Sequence, residues 1–230
     1  MTRKPSVAPI AASTNPGADA LRAYYAARAA EYDRVYAKPE RQRDLREIEG
    51  WLPSVFAGKT ILEMACGTGY WTRWLAPVAA GITAVDASIE TLTIARARVA
   101  ASHVKFVVGD AYRLPVAPLA FDAGFAGFWY SHVPRARVAA FVRGFHGALR
   151  SGAKVVVLDN RYVEGSSTPI AERDAEGNTW QMRRLEDGSA HRVLKNFPSV
   201  QELHEAFAGA GRELRLREWQ HYWALEYRVA

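Results

Sequence analysis

The 230-residue sequence contains one cysteine, Cys66. A lone cysteine excludes an internal disulfide and a cysteine-ligated metal cluster, and it fits a reducing compartment. No uninterrupted apolar run approaches the roughly 18 residues needed to cross a bilayer. The first sixteen residues lack the apolar centre of a secretory signal. The expectation is a cytoplasmic protein with no membrane partner. Clustered charge is missing as well. The net charge is +6, but residues 1 to 160 carry 20 Lys+Arg against 13 Asp+Glu, and residues 161 to 230 carry 10 against 11. Most arginines stand singly among alanines, as on solvated helix faces, so the pattern argues against a nucleic-acid partner.

A hydrophobic content of 49% is ample for one large core. Residues 1–17 are rich in Pro, Ser, Thr and Ala and read as a disordered tail, leaving 18–230 as a single domain that is a monomer or homodimer. Leu21, Tyr24, Tyr25, Arg28 and Tyr32 recur at helical spacing and predict a helix from Asp19 to about Lys38, closed by Pro39. A second helix is predicted over about Glu40 to Leu52, stopped near Pro53. From Thr60 the pattern alternates strands and helices, the signature of βαβ units. Strands are expected at Thr60 to Ala65, Ile82 to Val85, Val104 to Val107, Phe121 to Phe125 and Lys154 to Leu158. Helices are expected near Tyr70 to Leu75, Ile89 to Ala101 and Arg135 to Leu149, the last ended by Arg150-Ser151-Gly152. Thr179 to Leu185 and His191 to Phe197 flank the turn Glu186-Asp187-Gly188-Ser189 as a hairpin. A helix from Val200 to about Ala210 follows, and Arg212 to Trp219 and Tyr222 to Val229 form a terminal hairpin.

The first expected strand runs into Glu63-Met64-Ala65-Cys66-Gly67-Thr68-Gly69, whose small residues let a ligand approach the backbone at the strand's carboxyl end. The third glycine of a dinucleotide turn is absent. Asp86 ends the second strand and can accept from a ribose diol, or else cap the next helix. After the third strand, Asp110 with Ala111 can receive an adenine amino group.

With these residues in this order, the chain resembles the class I, Rossmann-like S-adenosylmethionine-dependent methyltransferase family, of small-molecule type, from about Tyr24 to the C-terminus. The resemblance rests on ILEMACGTGYWT, AVDAS, VVGDAYRLP, FDAGFAGFWYSHV and LRSGAKVVVLDN. It implies an α/β fold: a doubly wound, mostly parallel seven-stranded sheet with an antiparallel C-terminal hairpin and a β-hairpin insertion after the fifth strand. It implies S-adenosyl-L-methionine as cofactor, with Glu63 and the loop (Ala65, Cys66, Gly67, Gly69) at the methionine part, Asp86 at the ribose, and Asp110 and Ala111 at the adenine. The family often covers its site with an N-terminal helical lid, here 18–52, and with an insertion, here 160–198. Tyr24, Tyr25, Arg28 and Tyr32 would then close over the methionine end, and Trp180 or Met182 over the acceptor. Ala65 replaces the family's usual first glycine.

Methyl transfer relies on positioning and exclusion of water. His132 is the candidate base, with a structural hydrogen bond as the alternative. Trp129 and Tyr130 are candidate substrate contacts or packing aromatics. Asp159-Asn160 resembles the metal pair of catechol-type methyltransferases, but Phe125-Ala126-Gly127 stands where those enzymes need a carboxylate, so no metal is expected. Asn160 and Arg161 are candidate substrate residues, Arg161 for an anionic group or a surface pair with Glu164. The leading reading is N- or O-methylation of a small acceptor. Methylation of RNA or protein, a non-catalytic cofactor-binding module and a nicotinamide oxidoreductase are the alternatives.

Overall fold

The computed structural model describes residues 16–230, with side chains from Ala20 onward. The predicted tail lies outside the described residues except for Pro16 and Gly17, which open helix α1 (Pro16–Arg28) earlier than Asp19. A 3-10 segment, Ala29–Tyr36, continues it, and α2 (Gln42–Phe56) follows. Pro53 lies inside α2 and does not stop it. Leu45, Ile48, Leu52 and Phe56 are fully buried, and sealing the core with that face outweighs the backbone hydrogen bond that proline cannot make.

The sheet is built from β1 (Thr60–Met64), β2 (Gly81–Asp86), β3 (Val104–Val108), β4 (Phe121–Gly127) and β5 (Leu149–Asn160). Between them lie α3 (Thr72–Leu75), α4 (Ile89–Arg98) and α5 (Val138–Gly147). The insertion carries β6 (Glu172–Arg173), β7 (Thr179–Arg184) and β8 (Ala190–Leu194); α6 (Val200–Phe207), β9 (Gly211–Glu218) and β10 (Tyr222–Val229) complete the chain. The seven-stranded sheet has the order β3-β2-β1-β4-β5-β10-β9. β1 to β5 are parallel, β10 runs antiparallel to β5, and β9 antiparallel to β10. This is the expected doubly wound α/β fold. Ile61 and Leu62, adjacent on β1, enter separate cores on the two faces, one with α2 and the other with Phe141, Phe145 and Phe207.

Two boundaries correct the sequence reading. Arg150-Ser151-Gly152 does not cap a helix; α5 ends at Gly147, and Leu149, fully packed, already pairs with Phe121. The insertion is a three-stranded sheet and not a simple hairpin, because Glu172–Arg173 pairs with Trp180 and Thr179. Two residues are too short to show alternation. Among the described residues no helix is long and apolar enough to cross a membrane.

Gly124, central on β4, leaves no room for a methyl group: a Cβ there would stand 2.8 Å from both Leu149 Cδ1 and Phe145 Cζ. Gly124→Ala is expected to destabilise the protein by about 1–3 kcal/mol, the usual cost of overpacking, as measured by chemical denaturation.

Candidate active site

The carboxyl ends of β1, β2 and β4 converge on the glycine loop. Ala65, Gly67 and Gly69 all have positive φ, at 52°, 55° and 73°. Glycine adopts this conformation without strain, whereas Ala65 holds it with a Cβ in place. Gly69 serves packing, since a Cβ there would lie 3.1 Å from Ala95 Cβ on α4. Cys66 is buried, and burial pushes its thiol pKa well up, so it is inert as a nucleophile.

Asp86 ties the loop to α4. Its Oδ2 accepts from the Gly67 N–H at 2.8 Å, and its Oδ1 accepts from Ser88 N at 2.9 Å and the Thr91 hydroxyl at 3.1 Å. The N-cap of α4 is Ser88, so the helix-capping alternative for Asp86 is met only indirectly. Asp110 turns back to accept from Tyr112 N at 2.8 Å, with Ala111 buried beside it. Next to this turn the Tyr112 and Trp129 rings meet edge to face, 6.0 Å apart.

Several buried polar atoms here lack a protein partner: Glu63 Oε2, Tyr112 Oη and Trp129 Nε1. Buried polar atoms are ordinarily hydrogen-bonded, and a ligand with amino, hydroxyl and ring-nitrogen groups suits this set. Burial raises the Glu63 carboxyl pKa to about 8. The donor set and the bare glycine backbone therefore fit an adenosyl amino-acid cofactor.

The N-terminal segment closes onto the loop. The Tyr32 ring lies 3.8 Å from where a Cβ on Gly67 would stand. Asp33 accepts from Thr68 Oγ1 at 2.6 Å and pairs with Arg98, which also donates to Thr68 O at 2.8 Å. Tyr36 stacks on Tyr70 with centroids 3.5 Å apart.

Beyond Tyr32 lies a cavity of about 290 Å³, walled by the N-terminal segment, the ends of β4, β5 and β10, and the insertion. Tyr24, Arg28, His132, Asn160 and Met182, all singled out from the sequence, line it. His132 is buried; its Nδ1 lies 2.6 Å from Leu194 O, and its Nε2 lies 2.7 Å from the Tyr25 hydroxyl. A carbonyl can only accept, so Nδ1 carries the proton and Nε2 accepts from Tyr25. Burial, reinforced by the Lys195 charge, holds the imidazole pKa well below its usual 6.5.

Four predicted substrate residues, Trp129, Tyr130, Arg161 and Trp180, are not in the cavity. Tyr130 packs into the core against Phe141, Phe207 and Trp223, because the turn after β4 rotates it away. Arg161 is exposed, bonded to Trp219 O at 2.8 Å and paired with Glu218, not Glu164. Trp180 faces outward on β7, its Nε1 on Asp174 and the Arg192 guanidinium over its ring. Met182 lines the cavity instead. Trp129 sits on the Tyr112 side, 6.4 Å from the His132 ring.

Sequence reasoning missed Lys38, Arg41, Arg183 and Lys195, all in the cavity wall. No local signal marked Lys195, since the stretch His191 to Phe197 also holds Arg192 and Asn196. Lys195 is buried, donating to Asp159 Oδ1 at 2.9 Å and Ser131 Oγ at 2.6 Å, and burial lowers its pKa to about 8. Burial alone would raise the Asp159 pKa, but the Lys195 charge, the neighbouring His132 and hydrogen bonds from Ser131 N and Lys195 together outweigh it, and the carboxyl is held low. The aspartate of the suspected metal pair is thus engaged in an ion pair.

Residues 61–152 match a methyltransferase domain family. The chain is 28% identical to a malonyl-[acyl-carrier protein] O-methyltransferase of Serratia marcescens, over 85% of this chain and 69% of that enzyme. It is 28% identical to a demethylmenaquinone methyltransferase of Clavibacter sepedonicus, over 71% of this chain and 64% of that enzyme. Among solved structures, a complex of DhpI with SAM and HEP superposes with a TM-score of 0.77 at 28% identity, covering 94% of this chain and 100% of that one. Residues 61–152 thus form a methyltransferase domain, and the chain has the class I fold of S-adenosylmethionine-dependent methyltransferases.

Removing one partner of a buried pair leaves an uncompensated charge. Lys195→Met is expected to cost about 3–5 kcal/mol in denaturant unfolding, and adding Asp159→Asn should recover part of the loss.

Proposed function

We propose that this enzyme methylates an oxygen or nitrogen of a small molecule held in the cavity between the N-terminal segment and the insertion. The observation that carries the reading is the Tyr25–His132 hydrogen bond in the cavity wall, in which the Nε2 lone pair of a neutral imidazole accepts from the Tyr25 hydroxyl. The relatives' names support methyl transfer in general, and that of the O-methyltransferase supports transfer to oxygen.

Bound S-adenosylmethionine supplies an electrophilic methyl group on a sulfonium. Glu63 and the backbone of Ala65, Cys66, Gly67 and Gly69 hold its methionine part, with Tyr24 and Arg28 closing over that end. Asp86 receives the ribose hydroxyls, and Asp110 with Ala111 meets the adenine. Tyr32 and the Asp33–Arg98 contact keep water out. The Tyr25 oxygen accepts the acceptor's proton as its own passes to His132 Nε2, while Leu194 O keeps the ring oriented. A His132 positive charge in this wall would face Lys195 and Arg183, which the Asp159 carboxylate offsets only in part.

Release of S-adenosylhomocysteine with a library of small acceptors tests the reading directly, and cofactor binding without turnover on any acceptor would overturn it. His132→Gln should lower kcat by about 10²–10⁴, the range for losing a general base, with cofactor affinity unchanged. At saturating cofactor, wild-type kcat should stay level as pH falls to 6.5 and decline only below it, because a depressed imidazole pKa keeps the base neutral there. A half-maximal rate at pH 6.5 would count against the relay.

Glu63 gives a separate expectation. With a carboxyl pKa of about 8 it is protonated at neutral pH, and the cofactor's ammonium favours the ionised form. Binding should therefore release about one proton at pH 7, and affinity should rise with pH until it levels near pH 8. Calorimetry in buffers of different ionisation enthalpy measures the release, and Glu63→Gln should abolish it.

A further inference from the structure

The cavity wall holds more positive charge than the protein neutralises. Arg34 is paired with Glu31 and Glu186, Lys38 with Glu40, and Lys195 with Asp159. Among the described residues, Arg28, Arg41 and Arg183 have no carboxylate within ion-pair distance, and all three line the cavity. Arg28 lies against the rings of Tyr24 and Tyr32, 5.8 Å and 5.4 Å from their centroids. Arg41, 6% exposed, donates only to neutral oxygens: Ser166 Oγ, Ser166 O and Asn160 Oδ1. Glu40 reaches it only through the Ser166 hydroxyl. Arg183 donates twice to Gln181 Oε1, at 3.1 Å and 2.8 Å, and its guanidinium lies 6.0 Å from the Tyr24 ring centroid. A guanidinium has five N–H groups, so Arg41 and Arg183 both keep donors over.

We propose that the methyl acceptor carries an oxyanion, of the carboxylate or phosphate type, which Arg183 and Arg41 bind in this cavity with Lys38 beside them. The inference rests on the reading of the cavity as the acceptor site. Charge confined in a semi-enclosed site is costly without a counterion, and a planar guanidinium matches an oxyanion's two oxygens. With the methionine carboxylate set against Arg28, Arg41 and Arg183 still await a negative partner. The short, uncharged alternatives on the wall, Ser167, Thr168 and Asn160, can orient such a ligand but cannot neutralise these cations.

The test is calorimetric titration of the enzyme saturated with S-adenosylhomocysteine, using inorganic phosphate, benzoate and, as a neutral match, benzamide. Saturable binding of phosphate or benzoate, with benzamide silent, supports the proposal, and the stronger of the two distinguishes phosphate-type from carboxylate acceptors. Arg183→Gln should weaken that binding roughly tenfold or more, while Arg173→Gln, exposed on β6 and outside the cavity lining, should leave it unchanged. The same titration of wild type stands even if Arg183→Gln does not fold. If neither anion binds, or if Arg183→Gln folds and binds anions as wild type does, the proposal fails. S-adenosylhomocysteine affinity, measured in the same samples, separates that failure from failure of the methyltransferase reading.

Discussion

The buried Lys195–Asp159 ion pair joins two parts of the chain that the sequence keeps apart. Asp159 closes β5 of the main sheet, and Lys195 leaves β8 of the insertion. Asp159 also accepts from Ser131 N after β4, and Asn196 N donates to Ser131 O. The pair therefore sets the insertion's distance from the sheet ends and fixes the turn that presents His132. A hydrophobic contact could hold the same elements together, but it would not fix their register, because dispersion is non-directional and these bonds are not.

A second tie works at the other side of the site. Asp33, Thr68 and Arg98 connect the 3-10 segment, the glycine loop and α4, so the N-terminal segment is fastened over the loop by polar bonds as well as by stacked tyrosines. The Asp33–Arg98 pair is partly exposed, and exposed pairs contribute little net stability. In the core beneath, Phe56, Phe125, Phe141 and Phe145 are fully buried.

Electrostatics divides the site into two environments. Around the glycine loop, buried polar atoms such as Glu63 Oε2 stand without protein partners, and burial keeps the carboxyl protonated. Past Tyr32, cations predominate, and His132 is neutral because burial and the Lys195 charge both oppose a further positive charge. One region thus suits a ligand with amino and hydroxyl groups, and the other a ligand with negative charge. The Tyr25–His132 bond lies in the second.

The sequence by itself determined what is written in short-range chemistry. The βαβ rhythm gave the five parallel strands, the small residues from Ala65 to Gly69 gave the loop, and alternation gave Tyr222–Val229 as a strand to the residue. These features were legible because period, turn chemistry and backbone sterics act over a few residues. Tertiary structure alone decided what depends on rotation and on partners distant in the chain. It turned Tyr130 into the core, carried Arg161 and Trp180 to the outside, kept α2 helical through Pro53, and gathered Arg28, Arg41, Arg183 and Lys195 around one cavity. The nucleotide-binding loop could be read from one segment, but the acceptor side is assembled from four separate ones, and no local pattern records which of their side chains will face one another.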